Sequence, residues 1–137
     1  MSPRLLSLVM VLAMSLGVVR AQIVISEFMA SNAKTLADAD GDFSDWIEVQ
    51  NTSGRPVNLL GWSLTDRPNL AAKWRFPATN LDAGAFLVVF ASGKDRTNAG
   101  APLHLNFRLS ANGDYLGLFP PDSPASASEF APVYPPQ

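Results

Sequence analysis

From Gln22 onwards, apolar positions fall in short runs separated by clusters of Gly, Pro, Asn, Asp and Ser. Nine runs read as strands: Ile23–Met29, Asp45–Asn51, Pro56–Leu60, Trp62–Asp66, Lys73–Phe76, Ala85–Ala91, Leu103–Leu109, Tyr115–Phe119 and Glu129–Val133. Ile47 and Val49 alternate with Trp46, Glu48 and Gln50, the period of two of a half-buried strand. Phe86 to Phe90 is apolar at every position, which predicts a central strand covered on both faces. Between the runs, Thr52 to Arg55 reads as a hairpin loop and Leu81 to Gly84 as a turn. Asn112-Gly113 supplies the positive φ values of a tight hairpin. Only Phe28–Ala39 leaves room for a helical turn. Many short strands with a turn signal every eight to twelve residues define an all-β sandwich.

The first 21 residues differ in kind. Arg4 precedes an apolar stretch from Leu5 to Val19, and Val19-Arg20-Ala21 forms a small-residue cleavage site. Fifteen helical residues rise only about 22 Å, short of the ~30 Å hydrocarbon core. Residues 1–21 therefore read as a cleaved signal peptide, and the product as secreted or held at the cell surface. No second stretch of spanning length follows, so the mature chain carries no integral membrane segment. Residues 22–133 form the sandwich domain. Residues 134–137 form a Pro-rich end, read as a linker or truncation point with further domains beyond it.

Composition narrows the function. The 137 residues are 47% hydrophobic and 16% charged, a globular balance. The formal charge of −2 falls to −4 when Arg4 and Arg20 leave with the leader. No nucleic-acid partner is expected of a domain so charged. The absence of cysteine excludes disulfides, thiol nucleophiles and thiolate metal sites, and the single histidine, His104, excludes multi-histidine centres. No nucleophile elbow and no phosphate-binding glycine loop occurs. The expectation is a protein without enzymatic activity.

Several segments resemble the lamin-tail domains of secreted bacterial proteins. They are Ile25-Ser26-Glu27-Phe28, Asp45 to Asn51, Val57 to Asp66 with its Gly61-Trp62, Trp74-Arg75-Phe76-Pro77, Leu87 to Asp95, and Leu103 to Ser110. They stand in the family's order and cover nearly all of the mature chain. The resemblance implies an immunoglobulin-like β-sandwich and a non-catalytic binding or tethering module within a larger exported protein. It names neither a protein nor a glycan partner.

Three groups of residues are the candidate chemistry. Asp38, Asp40, Asp42 and Asp45, with Gly41 among them, could converge on one hard cation, which makes calcium the candidate cofactor. The spacing is not that of an EF-hand, and the same residues also suit a solvated turn. Trp74, beside Lys73 and Arg75, is the candidate exposed aromatic for ligand binding. Trp62 belongs to the core, and Trp46, pointing away from Ile47 and Val49, should be partly exposed or cover the acidic loop. His104 alternates with Leu103 and Leu105 and so shares a polar face with Asn106 and Arg108, which reads as a solvated or hydrogen-bonded sheet residue rather than a catalytic base. The leading expectation is a binding or tethering module. Its alternatives are a calcium-stabilised carbohydrate-binding module and an N-terminal accessory fragment of a larger enzyme.

Overall fold

The computed structural model describes residues 22–137, so the signal-peptide assignment lies outside the described residues. Ten strands form. They are β1 (Ile23–Met29), β2 (Asp45–Asn51), β3 (Val57–Asn58), β4 (Ser63–Thr65), β5 (Trp74–Arg75), β6 (Asn80–Leu81), β7 (Phe86–Ala91), β8 (Leu103–His104), β9 (Leu116–Phe119) and β10 (Ser128–Phe130). One four-stranded sheet runs β1-β2-β7-β8, a second runs β10-β9-β4-β5, and β3 pairs with β6. All pairings are antiparallel except β7 with β8.

The alternation in β2 sets the inner face of the first sheet. Phe28, Ile47, Val89 and Leu103 line up across its four strands. Ile47, Val49 and Val89 are fully buried, as are Leu64, Leu116 and Leu118 from the opposite sheet. Trp62 joins the same core. The free edge of β1 is met by the second sheet, because the Ile25 N–H donates to Ser128 Oγ of β10 at 3.2 Å.

Three expectations are corrected. Leu103–Leu109 pairs as a strand only over its first two residues; beyond them Leu105, Phe107 and Leu109 still face the core while Asn106 and Arg108 face out. Phe28–Ala39 holds no helical turn: it is the end of β1 followed by an irregular loop. β7 is covered on both faces only at its far end, since Phe86 is exposed and Leu87 half-buried. Within the Pro-rich end, Tyr134 is buried; its hydroxyl donates to the Ser110 carbonyl at 2.9 Å and accepts the Ser110 N–H at 3.0 Å.

Candidate functional site

On the outer face of the first sheet, Met29, Trp46, Phe90 and His104 form a second row across the four strands. Alternation puts this row towards solvent, yet Trp46, Phe90 and His104 are buried. The Phe90 and His104 rings stack at 5.2 Å. Beside them, Asp95 and Arg96 pair along Leu105 and His104 through backbone hydrogen bonds. The partial exposure expected of Trp46 is thus overturned, and of the two readings of His104 the solvated one fails.

Two loops meet in a charged clamp. The β1–β2 loop turns tightly at Asp38: its Oδ1 accepts the Asp40 N–H at 2.9 Å and the Asp42 N–H at 3.0 Å. Gly41 closes the turn at φ +84°, a conformation that side chains disfavour. Lys94, on the segment after β7, then reaches across. Its Nζ lies 2.6 Å from Asp38 Oδ2, 2.7 Å from Asp40 Oδ2 and 2.9 Å from Asp42 Oδ2. Arg96 adds a contact of 2.8 Å to Asp40 Oδ2.

The electrostatics follow from burial and partners. The Asp38 side chain has no exposed surface. Burial alone would raise its pKa, but the Lys94 ammonium, the amides of Asp42 and Asp40 and the Ser44 hydroxyl outweigh it. The pKa is lowered to about 2. Asp40 is lowered by Arg96 first and Lys94 second, and Lys94 is pushed up by the three carboxylates. His104 is pushed down by burial and by the nearby positive charge of Arg96.

Of the four aspartates assigned to calcium, Asp38, Asp40 and Asp42 come together, with one oxygen of each within 4.8 Å of the others. Asp45 stands apart, where its Oδ1 accepts the Asn32 N–H at 3.1 Å. The cation drawn in among the three is the chain's own ammonium. Nothing in the acidic stretch itself points to Lys94, which lies 56 positions from Asp38.

Trp74 is corrected more sharply. It is 3% exposed, because its register opposite Leu64 turns it into the core, where it meets Phe76 edge-on at 5.0 Å. Lys73 lies instead over Phe107 and pairs with Asp66. With Trp46 and Trp62 also buried, no tryptophan offers a sugar platform. What is exposed at this end is Phe43, at 46%, and Leu36. Phe43 borders a cleft of about 450 Å³, with Ser44, Asp45, Ser92, Lys94 and Arg108 among its other walls. Sequence reasoning also missed the pairing of Ser92 with His104, whose Oγ and Nδ1 lie 2.8 Å apart. The pair resembles a nucleophile with its base. Yet both residues are buried, Ser92 Oγ already accepts the Lys94 N–H, and His104 Nε2 has no partner to orient the ring.

Two sheets enclosing one core, with the strongest local chemistry in loops at the sandwich end, define an immunoglobulin-like module. The lamin tail domain family matches residues 19–128, and the chain belongs to it. That family is immunoglobulin-like and typically non-catalytic, in keeping with the sandwich observed. Comparison with curated proteins gives no match.

Proposed function

We propose that this chain is a binding and tethering module of an exported, multidomain protein, and that it works through the loop end gathered by Lys94. The observation that carries the reading is the clamp. It ties the β1–β2 loop to the segment after β7 by contacts of 2.6 to 2.9 Å, so Leu36 and Phe43 are displayed from an ordered support. Exposed apolar residues held in place bind with less ordering cost than the same residues on a free loop. The leader supplies the export half of the reading.

The test places a photo-crosslinking residue at position 43 or 36, and at the exposed Asp82 as control. The protein is expressed with its leader in the cell that produces it. The expected result is a processed chain beginning at Gln22, with discrete adducts from positions 43 and 36 and none from 82. Adducts of equal yield from all three, or from none, overturn the loop-end reading.

A further inference from the structure

We infer that the cleft beside the clamp takes a chain end, namely the C-terminal residue of a protein partner where that residue is basic. This deepens the loop-end reading and rests on it. The cleft has two poles of opposite charge that the fold leaves uncommitted. Arg108 is one. Its Nε donates to the Ser92 carbonyl at 3.0 Å, and its stem lies against Gly93, where an added Cβ would come within 3.5 Å of Nε. The guanidinium is therefore held in place, while its terminal nitrogens pair with no carboxylate among the described residues. A guanidinium so fixed suits bidentate capture of a carboxylate.

The other pole is Asp45, with Phe43 beside it on the rim. One Asp45 oxygen accepts the Asn32 N–H, and no cation pairs with either oxygen among the described residues. Lys94 cannot serve a ligand, because three carboxylates already hold it. An anion alone would face Asp42 and Asp45 as well as Arg108. A cation alone would face Arg108. A terminal lysine or arginine carries both charges: its α-carboxylate meets Arg108, and its side chain runs along the Phe43 ring towards Asp45. A free basic amino acid carries the same groups but adds an α-ammonium where the peptide has a neutral amide.

Fluorescence anisotropy with labelled hexapeptides tests this on the purified protein. Four ligands are compared: a peptide ending in lysine, its C-terminal amide, the same peptide ending in leucine, and free lysine as competitor. Amidation and the lysine-to-leucine change are each expected to weaken binding at least tenfold, and free lysine should compete at least tenfold less well than the peptide. Arg108→Gln should erase the preference for acid over amide, with Arg108→Lys restoring part of it. Asp45→Asn keeps an acceptor for the Asn32 N–H and should erase the preference for lysine over leucine. Unchanged melting temperatures would show that each variant folds. The inference falls if no peptide binds at millimolar concentration, if acid and amide bind alike, if free lysine binds as well as the peptide, or if Arg108→Gln keeps its discrimination. Crosslinks from position 43 together with any of those results would leave the loop-end reading standing and remove only this one.

Discussion

A buried carboxylate destabilises a fold unless its lone pairs and its charge are answered, and Asp38 has both answered at once. Two amides, a hydroxyl and an ammonium converge on it. Asp38→Ala would leave those donors without their acceptor, and should cost about 1–3 kcal/mol in urea unfolding. The same bonds set an acid limit. Because its folded pKa lies below its unfolded value, the stability Asp38 contributes is complete above about pH 4 and is lost as pH falls towards 2. His104 acts in a higher window. Its folded pKa is lowered by burial and by Arg96, so the unfolded chain takes up the proton first. Stability should therefore fall as pH drops below about 6.5, by at most about 1.4 kcal/mol per pH unit, and level off once the folded imidazole is protonated too. Unfolding midpoints measured from pH 8 to pH 2 should show two declines. His104→Gln should remove the upper one and leave the lower. Alternation along Leu103–Leu109 places Leu105 and Phe107 in the core but groups His104 with the outward-facing Asn106 and Arg108, whereas His104 is buried, its ring stacked on Phe90 and hydrogen-bonded to Ser92.

Among the elements, β1 and β2 match the apolar runs residue for residue, because both are long and one face of each is core. The two-residue strands β3, β5, β6 and β8 carry too few positions to show a period, so their bounds are not legible in the sequence, and β6 runs into the Leu81–Gly84 turn with no strand signal of its own. In the β1–β2 loop the acids are visible in the sequence but their partner is not. Mutual repulsion of the acids implies a splayed loop without calcium, whereas the loop is closed on Lys94. Calcium would have to displace that ammonium. Melting of the native protein should accordingly be the same in about 1 mM calcium as in chelator, the concentration typical of extracellular sites. Lys94→Ala would leave the three carboxylates gathered with no ammonium between them. For a dissociation constant near 0.1 mM, calcium should then stabilise that variant by about 1.4 kcal/mol, or roughly 4–8 °C. A calcium shift in the native protein would show instead that the lysine yields and that the acids serve as ligands.

At the scale of the whole molecule, the two sheets need closing along the edge where β1 and β10 approach. Part of the closure is the bond from the Ile25 N–H to Ser128 Oγ, and part lies beyond β10. The Phe28 ring, at the end of β1, packs against Phe130 at 4.9 Å and Tyr134 at 4.8 Å. Tyr134 continues the closure: its backbone N–H donates to the Asp114 carbonyl at 2.8 Å, and its hydroxyl exchanges hydrogen bonds with Ser110. A Pro-rich stretch reads as linker because its composition lacks periodicity, and a single aromatic anchor carries none. Tyr134 alone therefore distinguishes a linker from a strap. Tyr134→Ala should cost about 3–5 kcal/mol, the range for emptying a large aromatic site. Tyr134→Phe should cost only about 1 kcal/mol, because it keeps the ring and loses the exchange with Ser110. Ending the chain after Val133 should destabilise at least as much as Tyr134→Ala, whereas ending it after Tyr134 should sacrifice little beyond the 2.9 Å bond from the Gln137 N–H to the Ala111 carbonyl. Urea unfolding of the four variants decides the matter. Equal midpoints for chains ending at 133 and 134 would return residues 134–137 to the linker.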